Sequence, residues 1–352
     1  MALDSRPPRL LVVGAGAIGG VVAAGLCHAG HRVTTLTTNA RIAEALRTQG
    51  FRLEGETAYA HVPAGEVLGT LTPGAPPFDA VFLATQPPQV EEAARSAVPF
   101  LDRDGRIVCF QNGLCEERVA RIAGRERVVG AVVAWGASMS EPGRYDRTSA
   151  GGFTVGRLDG PPDDRARDVA RWLEAVGPVR LTENLLGARY SKLAINCAIS
   201  TLGTIGGDRV GALMRHRHVR RLALEIMTET VRVAHAEGVR LEKVAGTVDL
   251  DWLALTDAER RAVRSPRLVA KHAVLLAAGF RYRRLRSSML AAIERGRPPA
   301  VDFLNGEVID RAERHGLSVP VNRAARDLVW QIARSERPAS MQTLRALYEQ
   351  TR

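Results

Sequence analysis

Residues 10–36 read LLVVGAGAIGGVVAAGLCHAGHRVTTL. An apolar run, Leu10–Val13, leads directly into Gly14-x-Gly16-x-x-Gly19. A stretch of small residues with helical character follows, and a second β-like run occupies Arg32–Leu36. The order is strand, tight glycine turn, helix, strand. In such a unit the first glycine permits the turn. The second lets a pyrophosphate approach the backbone, and the third lets the helix pack on the sheet. The helix N-terminus offers phosphate its unbonded N–H groups and the positive end of its dipole. The spacing therefore predicts a dinucleotide-binding turn formed by Gly14, Gly16, Ala17, Ile18 and Gly19.

A secretory leader or a membrane span is the competing reading of this stretch. Residues 10–27 carry no charged side chain and follow Arg6 and Arg9. The run is rich in glycine, however, lacks a clean small-x-small cleavage site and continues as a βαβ pattern, so neither is expected. The 352 residues exceed what one core usually holds, which points to two domains. A net charge of +11 could attract nucleic acid, but no nucleic-acid motif accompanies it, and 5% aromatic residues make a poor stacking platform. Cys27, Cys109, Cys115 and Cys197 lack metal-ligand spacing. They read as reduced thiols in a cytoplasmic protein, and no metal site is expected.

The first half alternates strands and helices. Helices are expected at Asn39–Thr48, Val90–Val98 and Asp163–Val176. Strands are expected at Asp79–Thr85, Arg106–Gln111, Val128–Val133 and Gly151–Val155, with turns at Gly74–Pro77 and Asp102–Gly105. Residues 51–70 read as short and irregular β structure. This alternation implies an α/β unit, a doubly wound and mostly parallel sheet with helices on both faces. From about residue 188 the pattern is helical, most clearly at Val219–Glu237 and Pro299–His315. The boundary is expected near Glu183–Gly187, giving a Rossmann-type domain over 1–185 and an all-helical one over 186–352.

NAD-binding units usually carry a carboxylate at the end of the second strand for the ribose hydroxyls. Here that end reads Thr37-Thr38-Asn39-Ala40-Arg41. Hydroxyls, an amide and an arginine suit a 2′-phosphate better, because a guanidinium pairs bidentately with phosphate. NADP is thus the expected cofactor, with NAD the alternative. Arg41 could equally be a solvated residue of the next helix.

Three further segments carry a resemblance: Phe110-Gln-Asn-Gly113, Ser191-Lys-Leu-Ala-Ile-Asn196, and Ser287-Ser-Met-Leu290 followed by Val301-Asp302-Phe-Leu-Asn305-Gly306. With the glycine turn, and in this order over roughly residues 9–335, they resemble the ketopantoate reductase family, the 2-dehydropantoate 2-reductases. The resemblance implies a Rossmann domain followed by a helical one, with the active site between them. It implies hydride transfer from NADPH to a 2-oxo acid and makes Lys192 the catalytic lysine. A positioned ammonium would stabilise the charge growing on the carbonyl oxygen and donate the proton. Asn196 lies one helical turn beyond Lys192 and shares its face. Asn112 matches an asparagine contacting cofactor and substrate, although Asn-Gly is also a common turn pair. Ser288 matches a serine that holds the substrate carboxylate, and could instead cap a helix.

Several positions depart from the family pattern. Ala300 stands where a glutamate is expected, although Asp302 is kept. Ser200 and Val210 replace asparagines, and Thr38 and Gln86 replace an arginine and a lysine that help to hold NADPH. These exchanges should alter what is bound more than how hydride moves. The helical domain is also long between Leu241 and Arg286 and carries a basic run, Arg281–Arg286, just before the serines. The expectation is an NADPH-dependent reductase of a small carbonyl compound that binds neither nucleic acid nor membrane. The alternatives are a relative repurposed for another carbonyl or an imine, and a non-catalytic dinucleotide sensor. A homodimer is compatible with the chain, although no interface is legible in it.

Overall fold

The structure is a computed structural model that describes residues 6–243, 249–261 and 265–351. It divides into two compact units. The first comprises residues 1–111 and 115–185, and the second residues 112–114 and 186–352.

The first unit is built on twelve strands: β1 (Arg9–Val13), β2 (Arg32–Leu36), β3 (Phe51–Gly55), β4 (His61–Val62), β5 (Glu66–Leu68), β6 (Phe78–Leu83), β7 (Leu101–Cys109), β8 (Val128–Val133), β9 (Ala137–Glu141), β10 (Arg144–Arg147), β11 (Phe153–Arg157) and β12 (Val179–Thr182). Eight of them form one sheet in the order β12-β11-β8-β7-β6-β1-β2-β5. All neighbours are parallel except β8 and β11. The chain therefore winds one way from β1 to β2 and the other way through β6, so the switch point lies at β1. In open α/β sheets, ligands bind at the carboxyl ends of the strands beside such a point.

Five helices cover this sheet: α1 (Ala17–His28), α2 (Ala40–Gln49), α3 (Val90–Ala97), α4 (Glu116–Ala123) and α5 (Asp164–Leu173). Side chains alternate along each strand. Leu10, Val12, Phe82 and Val108 join the core beneath α1 and α5, with Val21, Val22, Val169 and Leu173. Leu11, Val13, Val81, Leu83 and Ile107 are equally buried on the alternate positions. Burial on both faces explains why the strands read as unbroken apolar runs.

Several boundaries differ from expectation. The expected turn at Asp102–Gly105 is a bulge inside β7. The pairing with β6 jumps from Phe78–Leu101 to Ala80–Arg106, and the Asp104 N–H donates to the Asp102 carboxylate at 3.2 Å. That strand stops at Cys109, before Gln111. The strand expected at Gly151–Val155 runs over Phe153–Arg157, because Gly151 has φ +148°. The pattern also did not reveal the second sheet, of order β4-β3-β10-β9. Its strands are short and half exposed, so they lack an apolar signature.

The second unit is helical: α6 (Leu185–Gly206, beginning on the last residue of the first unit), α7 (Val210–Leu213), α8 (Arg217–Ala236), α9 (Leu250–Leu253), α10 (Asp257–Arg261), α11 (Pro266–Arg281), α12 (Ser288–Glu294), α13 (Asn305–Arg314), α14 (Pro320–Ala333) and α15 (Met341–Gln350). The single helix expected over Pro299–His315 is broken. A short 3-10 turn at Ala300–Phe303 precedes α13, and Leu304 between them has φ −116° and ψ −93°. No described helix is long and apolar enough to cross a membrane, and among the described residues no acidic, histidine or cysteine cluster could hold a metal ion.

One contact ties the second sheet to the glycine turn. The Tyr145 hydroxyl donates to the Ala15 carbonyl at 3.0 Å, and its ring fills the space above Gly20, where a Cβ would approach to 2.1 Å. Tyr145→Phe should cost about 1 kcal/mol by leaving that buried carbonyl unsatisfied. The thermal midpoint should fall by roughly 2–4 °C. An unchanged midpoint would mean that the hydroxyl contributes nothing to the turn.

Candidate active site

The turn after β1 is held by backbone on both sides. The Gly14 N–H donates to the Leu36 carbonyl at 2.8 Å, and the Ala84 N–H to the Val13 carbonyl at 2.8 Å. Gly14 has φ +99°, and a Cβ there would lie 3.1 Å from Ala84 and Thr85 backbone. A Cβ on Gly19 would lie 1.9 Å from the Gly14 carbonyl oxygen, whereas one on Gly16 would meet nothing within 4 Å. The three glycines thus serve strand contact, an open approach and helix packing in turn. Ala17 and Ile18 open α1, whose first turn holds no acidic residue and whose N-cap Gly16 offers no side-chain cap. The N-terminus is therefore electropositive and open to an anion. Beside it, the Thr85 hydroxyl is buried without a partner among the described residues.

After β2, Thr38, Asn39 and Arg41 are all exposed. Asn39 caps α2, its side-chain oxygen accepting from the Arg41 and Ile42 N–H groups at 3.1 and 3.2 Å. Arg41 projects from the first turn of that helix. Gln86 is exposed at the end of the loop after β6. Gln111, which the sequence reading passed over, is buried, and its amide nitrogen donates to the Leu83 and Thr85 carbonyls at 3.0 and 3.2 Å. It ties the end of β6 to the segment that follows β7. Its place in the Gln-Asn-Gly segment was the available signal.

In the second unit, Lys192, Asn196 and Ser200 recur every four residues on α6 and are all half-buried. Leu193, Ala194, Cys197, Ala198 and Leu202 turn into the core. The helix thus presents a polar stripe backed by a rigid apolar face. The Asn196 amide nitrogen is buried without a partner among the described residues. An orphaned buried donor is costly unless a ligand satisfies it.

The turn of α6 carrying Lys192 is pinned beside it. The Ser191 hydroxyl donates to the Glu242 carbonyl at 2.6 Å, and the buried Tyr190 hydroxyl donates to Glu237. Arg311 also donates to Glu237, at 2.6 Å. Burial works against the Glu237 carboxylate, yet the Tyr190 hydroxyl and the Arg311 guanidinium hold it below its ordinary range.

Asn112 is exposed, on a segment that belongs to the helical unit. Gly113 beside it has φ +91°, and a Cβ there would lie 2.4 Å from the Phe303 carbonyl oxygen. Asn-Gly is therefore both a turn and a close contact with the 3-10 segment that carries Ala300. The cap of α12 is Ser287 rather than Ser288: its buried hydroxyl accepts from the Leu290 N–H at 3.3 Å. The same hydroxyl donates to the Ser200 carbonyl at 2.8 Å and lies 2.8 Å from the Thr204 hydroxyl. Ser288, one residue on, is exposed.

A buried amide network fixes the C-terminal half of α6. The Thr201 hydroxyl donates to the Asn305 side chain at 2.6 Å. The Asn305 amide donates to the Cys197 carbonyl at 3.3 Å and to Asn322 at 2.9 Å. Asn322 donates to Glu229 at 2.7 Å. Burial pushes the Glu229 carboxyl above its ordinary range, against the pull of the Asn322 and Val321 N–H groups. Of the departing positions, Val210 is buried within the hydrophobic core and its N–H donates to the Leu285 carbonyl at 2.9 Å. Asp302 is exposed and accepts from the Trp330 indole at 3.2 Å, with Arg326 3.4 Å away.

The fold, the glycine turn and the lysine-bearing helix together define a two-unit oxidoreductase of the dinucleotide-dependent class. The chain matches the family described as Ketopantoate reductase PanE/ApbA over residues 10–160, and that described as Ketopantoate reductase PanE/ApbA C terminal over residues 184–333. It belongs to the ketopantoate reductase family. It is 26% identical over 330 residues to a 2-dehydropantoate 2-reductase of Pyrococcus horikoshii, covering 93% of this chain and 97% of the relative. A 2-dehydropantoate 2-reductase of Archaeoglobus fulgidus is 26% identical over 326 residues, 92% of this chain and 97% of its own length. Two solved structures share the fold. A PanE/ApbA family ketopantoate reductase from Ralstonia eutropha has TM-score 0.76 at 24% identity, covering 93% of this chain and 99% of the other. D-mandelate dehydrogenase with NADH and anilino(oxo)acetate has TM-score 0.77 at 18% identity, covering 93% and 98%.

The two asparagines at α6 should separate by stability. Asn305→Ala strips three buried partners and should cost about 2–3 kcal/mol. Asn196→Ala removes no hydrogen bond from its amide nitrogen and should stay within about 1 kcal/mol. Urea denaturation of both variants is the check, and equal losses would contradict the difference between a bonded Asn305 and an Asn196 whose amide nitrogen has no partner among the described residues.

Proposed function

We propose that this protein reduces a 2-oxo acid or a related carbonyl compound with NADPH, and that Lys192 is the proton donor. The observation that carries the reading is the α6 stripe: a lysine, then an asparagine whose buried amide nitrogen has no partner among the described residues, on one face of a pinned helix. The glycine turn fits a dinucleotide, since Gly16 leaves open space at an uncapped helix N-terminus and the Thr85 hydroxyl beside it lacks a partner. Gly14, Gly16, Ala17, Ile18 and Gly19 would hold the pyrophosphate, with Thr38, Arg41 and Gln86 toward the adenosine ribose. A bound nicotinamide supplies the hydride. Lys192 would stabilise the negative charge developing on the carbonyl oxygen and deliver a proton to it. Asn196 and Asn112 would orient the carbonyl compound, with Ser200 and Ser288 toward its carboxylate.

The preference for NADPH rests on the missing carboxylate after β2 and on Arg41, which projects without an ion-pair partner among the described residues. The D-mandelate dehydrogenase neighbour was solved with NADH, so both nicotinamides belong in the assay. We further take the protein to act in the reducing cytoplasm, in keeping with four cysteines none of which is disulfide-bonded, with a homodimer possible.

A second reading concerns the substrate. Ketopantoate follows from the names of the relatives, but Ala300 removes the expected carboxylate, and Asp302 is engaged by Trp330 and Arg326. Val210 is buried in core rather than offering an amide. These observations favour a 2-oxo acid with fewer hydroxyl groups, because a site loses selectivity for a hydroxyl when its partner becomes apolar.

Oxidation of NADPH and NADH should be followed against a panel of 2-oxo acids including ketopantoate. Lys192→Ala should lower turnover by about 10²–10⁴-fold, the usual worth of general acid catalysis, while leaving dinucleotide binding intact. Undiminished turnover would remove Lys192 from the mechanism. Arg41→Ala should raise the KM for NADPH and leave that for NADH unchanged, and the reverse would assign the protein to NAD.

A further inference from the structure

A second concave site lies wholly within the helical unit, lined by parts of α8, α10, α11 and α15. Its volume is 390 Å³, within the range of small-molecule pockets. Arg217 and Arg221 approach it from successive turns of α8, and Arg260 and Arg261 from the end of α10. Glu225 and Asp257 also line it, so among the described residues the lining holds four guanidinium groups and two carboxylates. Glu225 is moreover already occupied. Arg221 donates to one of its oxygens at 2.9 Å and Arg260 to the other at 3.0 Å. Arg221 also grips the Glu259 and Arg260 carbonyls at 3.2 and 2.7 Å. The two inner arginines are thus locked in orientation, a preorganised cationic wall that costs little further ordering when an anion arrives.

The buried end of the cavity holds His272, only 8% exposed. Its Nδ1 is buried without a hydrogen-bond partner among the described residues. Burial first, and the charges of Arg220, Arg217 and Arg221 second, push its imidazole down to about 4. It is therefore neutral at pH 7, when one ring nitrogen can donate and the other accept. Tyr348 adds an aromatic surface to the lining. A basic patch alone would be a solvated face. A concave one with a fixed arginine wall and an orphaned buried imidazole is a built receptacle.

We propose that this cavity binds a small phosphate-bearing dianion, of the phosphomonoester or diphosphate class, at a site separate from the glycine turn. Guanidinium forks match the oxygens of phosphate, and the ring N–H of the neutral imidazole can donate to one of them. The site lies outside the residues assigned to cofactor and substrate, so it stands whether or not the reductase reading holds.

The test is calorimetric titration of the full-length protein with inorganic pyrophosphate in a phosphate-free buffer, alone and with saturating NADP. The glycine turn could also take pyrophosphate, and the dinucleotide blocks it. One saturable site should persist with the dinucleotide present. It should weaken at least tenfold in Arg261→Glu, an exposed position whose exchange leaves the core untouched, and in His272→Gln. Binding that vanishes with NADP, an unaffected Arg261→Glu, or no saturation at millimolar concentration would overturn the proposal. Succinate binding as tightly as pyrophosphate would overturn the phosphate assignment.

Discussion

The whole N-terminal unit turns on one interatomic distance. The carbonyl oxygen of Gly14 sits where a Cβ on residue 19 would need to be, 1.9 Å away. Any side chain at Gly19 would push α1 off the sheet. With it would go the alignment of the helix N-terminus and the seat of Val21, Val22 and Leu26 in the core. The same closeness extends to the next residue, where Gly20 accommodates the ring of Tyr145. An open helix N-terminus and core packing are therefore not separate properties of the glycine turn. The backbone is bare because it is packed, and a bare helix N-terminus is what an anion needs.

The helical unit solves a different problem, holding a cation-bearing helix still. Apolar burial keeps α6 in place but does not set its rotation to a fraction of an ångström, since hydrophobic attraction has no direction. The directional constraints come from buried polar groups. Tyr190 and Ser191 fix the turn at Lys192, through Glu237 and the Glu242 carbonyl. Asn305 fixes the later turns by bonding the Cys197 carbonyl and Thr201. Such networks stabilise only when fully satisfied. Against that background, the Asn196 amide nitrogen, buried without a partner among the described residues, falls on the face that the lysine shares.

The strand–turn–helix unit was legible because each of its features has a one-dimensional signature: a run of apolar residues, fixed glycine spacing, a helical period. The second sheet was not, because β9 and β10 are short, with β9 largely exposed and β10 burying only alternate residues, and β10 pairs in parallel with β3, some ninety residues away. The bulge in β7 looked like a turn before a strand, since Asp-x-Asp-Gly makes an Asx turn in either setting. The break at Leu304 was hidden because a 3-10 turn followed by a helix keeps apolar residues near the helical spacing. Lys192 and Asn196 were singled out by the resemblance of their segment to the family motif, and the structure places both on one helix. Gln111, Ser287 and Asn305 sat inside the quoted motifs, yet their work of anchoring carbonyls on other elements depends on contacts between residues about 25 to 110 apart, to which periodicity is blind.

The bonds that orient the turn at Lys192 and those at the departing positions Ala300 and Val210 come from different residues. The groups fixing Lys192 come from Tyr190, Ser191, Glu237 and Arg311. Two of the departures from the family pattern lie elsewhere, Ala300 on the 3-10 turn and Val210 at the start of α7, whereas Ser200 lies on α6 and is bonded there through its backbone carbonyl. Replacing a polar side chain by Ala300 leaves Gly113 packed against Phe303, because that contact is made by a backbone carbonyl. Replacing another by Val210 leaves the bond from its N–H to Leu285 intact and adds apolar burial. Neither exchange disturbs a bond that orients α6. The turn of α6 at Lys192 and these two positions are therefore held by different bonds, so an exchange at either position leaves the orientation of that turn intact.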